Sequence, residues 1–427
     1  EPIVEEKLDP AEMTGLVILS GKDDNFVVGA DVDELNAMKN KDEVVTYITK
    51  AHNVLKRIES LPFPVVCGIH GNCLGGGLEL ALVADYRIAT PTLPEMSIYY
   101  AGVVLVVHCR RSAWARYGMV VVILAFIGDA GYWYYQNKLN PRLRITALDV
   151  GQGESTLLQL PGGKTMLIDG GGFYDSGFDT GGMVVSPLLW RKKISRIDYV
   201  VLSHPHPDHL NGLVSVVNNF DIGEVWTNGE GIATEAYAAF EALIAEKTIK
   251  KFVISRGHPH AYVNGIMIEF LHPGPFIPDE PMRRSHERMN NNSLVMRLVF
   301  GEVSILFTGD MGAADEREIM ALYPGLTCTI LKIPHHGSAT SSSTAFLRKL
   351  RPRMALLSVG SDNSFHLPHP DVMSRYAEAG CRIFRTDRDG AVSLETDGHN
   401  VRIRSFLRRG DSTSSAQQDA LLELYKN

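Results

Sequence analysis

An α/β fold built in separate blocks, with a membrane helix between them, is what this sequence of 427 residues predicts. Three observations carry the prediction. Residues 142 to about 406 show many β-rich runs separated by Gly, Pro and Asp turns, with helical stretches between. Residues 1 to about 90 alternate short apolar runs (LVILS, PVVCGIH) with a helical stretch at about 44–60. Between these blocks, residues 96–137 are strongly apolar, interrupted by the basic patch HCRRSAWAR. The blocks are therefore set at 1–90, 91–141 and 142–406, with 407–427 as a flexible tail that ends in one helical turn at most.

Composition narrows the chemistry. The chain is long enough for two or more domains, each with its own core. It is 45% hydrophobic and 21% charged, with a formal net charge of -7. That balance argues against a protein that coats nucleic acid by charge, though not against a nuclease touching few phosphates. The five cysteines form no CxxC pair and read as reduced or buried thiols. Twelve of the 15 histidines follow residue 200, so any metal chemistry belongs to the C-terminal half. The opening EPIVEEKLDPAE is acidic and polar, unlike a signal peptide, and no internal repeat is evident.

The first block carries the segments GLVILSGKDDNFVVGADVDEL and PFPVVCGIHGNCLGGGLELALVADYRIAT. They resemble the crotonase (enoyl-CoA hydratase) family, most closely the hydratase half of the bacterial fatty-acid oxidation α subunit. The resemblance implies an oxyanion hole from the N–H groups of Ala30 and Gly76, at a helix N-terminus whose dipole adds to it. It also implies an acid/base role for Glu79. The family's second glutamate should follow about twenty residues later, where position 99 is Tyr, and Glu95 is only sixteen on. The family's first strands and its substrate-covering C-terminal half are missing, so this block reads as a truncated fragment.

Length decides which apolar run could span a bilayer. Residues 96–108 would make a helix of roughly 20 Å at ~1.5 Å per residue, short of a ~30 Å hydrocarbon core. Residues 117–135 would reach about 28 Å, which suffices. Asp129, near one end, costs less than the ~3 kcal/mol of a mid-bilayer charge. Arg110, Arg111 and Arg116 precede this run, and Tyr132, Trp133, Tyr134 and Tyr135 close it. The positive-inside rule puts the arginine end in the cytoplasm and residue 142 onward outside. The competing reading is a buried core helix.

The third block holds the chemistry. LSHPHPDHLNG places His204, His206, Asp208 and His209 in HxHxDH spacing after the apolar run VVLS, a buried strand ending at the site. Two histidines two apart on such a loop can face one cation, and the next Asp and His a second. Proline between the histidines stiffens the loop. SILFTGDM is a strand ending in Asp310, placed to bridge the two cations, and ILKIPHHGS ends another in His335 and His336.

These motifs resemble the metallo-β-lactamase superfamily. With LRITALDVGQGESTLLQLPGGKTMLIDGGG, NNSLVMRLVFGEVSILFTGDM and LPHPDVMSRYAEAGCRIFRTDRDGAV, they look like the C-terminal part of the ComEC family of bacterial DNA-uptake competence channels, over about residues 91–406. The resemblance implies a metallo-β-lactamase-type αββα sandwich outside the inner membrane. The activity it implies is a metal-dependent phosphodiesterase acting on single-stranded DNA or another phosphodiester, with other DNA-uptake components as partners. It implies two divalent metal ions, Zn or Mn. His204 and His206 would hold one, Asp208, His209 and His336 the other, with Asp310 bridging. Asp208 then counts as catalytic too. His272, in EFLHPGP, is either a further ligand or a plain turn residue. His369, in LPHP, is either a proton donor or phosphate contact, or the start of a helix. Asp149 and Asp169 are expected to orient ligands rather than bind metal. Glu154 stands where the family often has Asp. The family's long multi-helix membrane domain is missing, so DNA translocation by this chain alone is not expected. The sequence thus reads as a chimera: a crotonase-like fragment, one membrane helix and an intact hydrolase domain. The competing functions are acyl-CoA hydratase/isomerase chemistry from the fragment and a non-catalytic membrane-anchored remnant.

Overall fold

A computed structural model describes residues 16–19, 25–27, 41–61, 63–70, 72–73, 76–90, 113–173, 177–275, 286–407 and 420–422. The chain divides into two compact units, Glu1–Gly131 and Tyr132–Asn427.

The first unit contains β1 (Leu16–Leu19), β2 (Asn25–Val27), α1 (Lys41–Glu59), β3 (Val65–His70), β4 (Asn72–Cys73), α2 (Gly76–Leu82) and β5 (Tyr86–Thr90). Strands β1, β3 and β5 form a parallel sheet, and β2 pairs with β4. Among the described residues its core is the cluster of Val65, Cys67, Ala81 and Ala84. Val45, Ile48 and Val54 on α1 stay exposed.

Helix α3 (Ala113–Tyr134) occupies the predicted membrane segment. Val120, Val121, Ile123, Leu124, Phe126 and Ile127 are exposed along it. Among the described residues, however, no helix is long and apolar enough to cross a membrane. The expected crossing is corrected on this point. Asp129 and the Tyr and Trp residues that follow end the apolar run.

The second unit is a two-sheet sandwich. It opens with β6 (Leu143–Ala147), β7 (Thr156–Gln159), β8 (Thr165–Ile168), α4 (Ser186–Arg191), β9 (Arg196–Leu202), α5 (Pro207–Asn219), β10 (Asp221–Thr227), α6 (Glu235–Glu246) and β11 (Lys250–Val253). It continues with β12 (Ala261–Val263), β13 (Ile266–His272), β14 (Val295–Phe300), β15 (Val303–Phe307), α7 (Ala313–Leu322), β16 (Ile330–Lys332), α8 (Thr344–Leu350), β17 (Met354–Leu357), α9 (Pro370–Glu378) and β18 (Arg382–Arg385). Three strands close it: β19 (Val392–Thr396), β20 (Val401–Ser405) and β21 (Ala420–Leu422).

One sheet has nine strands in the order β11-β10-β9-β8-β7-β6-β19-β20-β21, and the other runs β12 to β18 in sequence order. Period-two alternation builds three cores. Leu158, Val201, Ile305 and Phe307 face the space between the sheets. Leu157, Val200 and Leu202 point the other way, where α4, α5 and α6 contribute Leu189, Leu213 and Phe240. Leu306 and Leu331 face α7, α8 and α9, which supply Ile319, Phe346 and Val372. The result is the expected αββα layering. The expected flexible tail contributes β21, antiparallel to β20, rather than a helical turn; nothing else in 408–427 lies within the described residues.

Candidate metal centre

The polar residues lie where apolar strands run out. Asp169 follows β8, Ser203 to His206 follow β9, Asp310 follows β15, and His335 and His336 follow β16. Buried strand residues fix each strand end, so the loops behind them converge on one edge of the sandwich. Proline at the first position of α5 presets its backbone dihedral. Asp208 and His209, in the first turn, are thereby buried against the same edge.

Two glycines hold this loop by close approach. Gly153, at φ +146°, leaves no room for a Cβ, which would lie 2.6 Å from the Asp208 carbonyl oxygen. Gly172, at φ +150°, meets Pro207 O in the same way at 2.3 Å. The DVGQGE and DGGG runs therefore clamp the start of α5. The clamp is tightened by the Glu154 N–H, which donates to Asp208 O at 3.0 Å.

Asp208, His209, Asp310 and His336 offer ligand atoms that all lie within 4.8 Å of one another, and all four residues are buried. His209 Nε2 is 3.3 Å from Asp310 Oδ1, and His336 Nε2 is 3.4 Å from Asp208 Oδ2. Donors on one tetrahedral zinc, each at about 2.0–2.1 Å, stand about 3.3–3.4 Å apart. Asp208 Oδ1, His209 Nε2, Asp310 Oδ1 and His336 Nε2 are buried without a hydrogen-bond partner. Buried polar atoms left so are costly unless something charged satisfies them. The donor set thus fits a divalent cation.

The electrostatics agree. Burial alone would push the Asp310 carboxyl up, but the His209, His336 and His335 imidazoles hold it well below the usual carboxylate range. Asp208 is likewise held low by His209 and His336 against the effect of burial. Burial and the neighbouring His209 drive His204 well below its ordinary value, keeping the ring neutral. Against their burial, His209 is raised well above 6.5 by Asp310 and Asp169, and His336 is raised by Asp310 and Asp208. The two ionised carboxylates thus hold positive charge on His209 and His336, charge that a cation would supply once these rings give up their protons.

His204 and His206 adjoin this group. His204 Nε2 is 3.9 Å from Asp310 Oδ2 and 3.1 Å from His206 Nδ1, and both rings are buried. Of the adjacent pair, His336 points inward, its Nδ1–H donating to Ser358 O at 2.9 Å, while His335 is partly exposed. Both occupy the left-handed region, at φ 50° and 49°. That is uncommon for a non-glycine residue and marks a constrained turn. Asp169 accepts from the Ser203 N–H and O–H at 2.8 and 2.7 Å and meets His209 Nδ1 at 2.8 Å, which fixes that ring.

Three further residues expected at the site stand outside the four-residue group. His272 turns its Nε2 toward Glu318 and Asp315, at 3.9 and 4.0 Å, and not into the four-residue group. The register shift between Phe270 and His272 accounts for it, since a bulge re-aims the side chain that follows. Asp149 is exposed, and among the described residues it accepts the Gly151 N–H of its own loop at 3.4 Å. His369 begins α9, its Nδ1 accepting from the Asp371 N–H at 3.3 Å. Its backbone N–H donates to Gly337 O, which keeps it beside the His336 turn.

The sequence reading missed Ser203, Ser293 and Asn290. Ser293 Oγ accepts from the Asp310 N–H at 3.0 Å and lies 3.4 Å from His204 Nδ1. Asn290 Nδ2 lies 3.3 Å from His335 Nε2. The polar run NNNS just before β14 was the available signal. A further buried pair, Lys332 Nζ and Glu154 Oε2 at 2.8 Å, links the β16 strand to the loop that clamps Asp208.

In the first unit, Glu79 is exposed on α2, where Gly76 is the first residue. Ala30 and Glu95 lie outside the described residues, so the expected oxyanion pair is not described.

Residues 148–360 match the sequence profile of the metallo-beta-lactamase superfamily, and residues 4–97 match that of enoyl-CoA hydratase/isomerase. ComE operon protein 3 of Bacillus subtilis is 28% identical over 280 residues, covering 58% of this chain and 32% of that protein. Competence protein ComA of Neisseria gonorrhoeae is 26% identical over 318 residues, covering 73% and 40%. The fatty acid oxidation complex subunit alpha of Aliivibrio fischeri is 50% identical over 94 residues, covering 21% and 14%. The chain spans well under half the length of each of these relatives.

Proposed function

Taking as premise that this chain carries a metallo-β-lactamase superfamily hydrolase domain, homologous to competence proteins, behind an enoyl-CoA hydratase/isomerase fragment, we propose that it hydrolyses phosphodiesters. The proposed substrate is single-stranded DNA met during DNA uptake, with other uptake components as partners at the outer face of a bacterial inner membrane. The observation that supports the reading is the group of four buried ligand residues, each with a buried polar atom that has no hydrogen-bond partner.

Two divalent cations, Zn or Mn, would be held by His204 and His206 on one side and by Asp208, His209 and His336 on the other, with Asp310 between. When bound, such ions lower the pKa of water and neutralise phosphate charge. The chain's own residues do the rest. Asp169 holds the His209 ring and, through Ser203, the start of the HxHxDH loop. Burial of the donors excludes bulk water and strengthens their hold on charge. His369 is the proposed proton donor: with Nδ1 accepting from the α9 N-terminus, its proton sits on Nε2, on a partly exposed ring.

The test uses the full chain with Mn2+ or Zn2+ on single-stranded DNA and on bis(p-nitrophenyl) phosphate, with metal content by elemental analysis. Two equivalents of metal and hydrolysis abolished by Asp310→Ala are expected. Hydrolysis unchanged in a His206→Ala/Asp310→Ala double variant would overturn the assignment.

A further inference from the structure

The outer face of the nine-stranded sheet is covered unevenly. Over β7 to β10 it is apolar and carries α4, α5 and α6. Strands β6, β19 and β20 send their apolar residues inward, Leu143, Ile145, Val392, Leu394, Val401 and Ile403. Alternation therefore turns Arg144, Thr146, Ser393, Glu395, Arg402 and Arg404 outward. These residues floor an open groove of about 840 Å3.

The groove has a direction. At one end Arg144 bonds Gln136, and Tyr132 and Trp133 line the wall. Strand register places Ala147, Val392 and Ser405 together at the other end, beside Asp149 and Phe406. Asp149 opens the loop whose Glu154 N–H holds Asp208 O. The groove thus climbs the sheet toward the rim on which the metal centre sits.

Its chemistry is equally marked. Arg144, Arg191, Lys192, Arg402 and Arg404 face two carboxylates, Asp149 and Glu395, in a chain of net charge -7. Glu395 is already shared by Arg142 and Arg144. Tyr132 is 55% exposed and Phe406 72% exposed. We propose that this groove holds a single-stranded nucleic acid, with phosphates on Arg144, Arg402 and Arg404 and bases stacked on Tyr132, Trp133 and Phe406. Only an unpaired strand offers base faces to such rings. Arg144 and Arg402 are half-buried on the sheet floor, which suits a thin strand lying along the groove better than a flat lipid headgroup plane. Only the delivery of the strand to a hydrolytic site rests on the proposed function; the binding itself does not.

The experiment measures fluorescence anisotropy of a labelled phosphorothioate oligothymidylate, which resists cleavage, with the full chain over a range of salt. Arg402→Gln with Arg404→Gln should raise Kd at least tenfold. It should also flatten the log–log salt slope by about 1.4, two phosphates at ~0.7 each. Arg402→Lys with Arg404→Lys should keep most of the affinity. Hydrolysis of bis(p-nitrophenyl) phosphate, too small to span the groove, should be unchanged. Oligonucleotide should also quench Trp133 fluorescence, read against a Trp133→Leu variant. Unchanged Kd and slope in the glutamine variant would overturn the proposal. So would a loss confined to phosphatidylglycerol vesicles, which would give the groove to a membrane instead. If the unaltered chain cleaves no diester while the glutamine variant still loses oligonucleotide, the hydrolytic reading fails and the groove stands.

Discussion

Asp169 is the residue on which the centre's geometry turns, because it accepts from Ser203 twice and meets His209 Nδ1. Asp169→Asn keeps the shape but replaces the acceptor that fixes the ring. A ten- to hundredfold loss of metal affinity by titration calorimetry is expected, the usual effect of removing such a partner. Unchanged affinity would show that His209 needs no such hold. Lys332 and Glu154 pose a different question, since both are at most 2% exposed. Glu154→Ala leaves a buried ammonium unpaired and should cost about 3–5 kcal/mol in urea unfolding of the second unit. Glu154→Leu with Lys332→Met should recover much of that, because well-packed apolar groups replace a buried pair at little cost. Much of the centre was legible from sequence for a simple reason: HxHxDH packs four donors into one loop, and Asp310 and His336 each end an apolar strand. Ser203, Ser293 and Asn290 carried no such spacing. A bulge, which has no sequence mark, turns His272 toward Asp315 and Glu318, and His369 caps its own helix's first N–H groups.

At the scale of elements, the sandwich was readable because two-residue alternation and strand-end polarity act locally, whereas strand neighbours are set by long-range pairing. β19 joins β6 across some 250 residues, and no local pattern announces that. Glu395 fastens this junction, bonded by Arg142 and Arg144 at 2.5 and 2.6 Å. Burial alone would raise the Glu395 carboxyl, but these bonds hold it below its ordinary 4.5. A carboxyl whose folded value is depressed stabilises the fold above its unfolded pKa, and that stability is lost as pH falls through the folded one. Glu395→Gln should therefore lower the melting temperature at neutral pH by an amount worth about 1 kcal/mol or less, given the partly exposed arginines. The gap between variant and unaltered chain should close as pH drops below about 4.5. A gap that widens with acid would refute the assignment. The correction at α3 belongs here too: exposed apolar side chains were foreseen, but their run is broken by Asp129 before it spans a bilayer.

For the whole molecule, the two units differ in how much they bury and in what could hold them. The first has five buried apolar residues among those described, while the second has three cores and a cluster of cation ligands. The fatty-acid relative is matched over 14% of its length, and Glu79 is exposed without the second glutamate its family would place near position 99. Crotonyl-CoA hydration by the full chain should therefore be undetectable, and Glu79-dependent turnover would reverse that judgement. Stability should divide in the same way. Limited proteolysis should cut residues 1–131 first and leave a resistant product that starts near Tyr132. Metal should act on the second unit, because a cation that binds the folded centre would stabilise it by RT ln(1 + [L]/Kd), about 2.7 kcal/mol per site at a hundredfold excess over Kd. Adding EDTA should thus lower the upper melting transition and leave the lower one in place. If EDTA moved only the lower transition, the donors gathered at Asp208, His209, Asp310 and His336 would not be where the chain holds its metal.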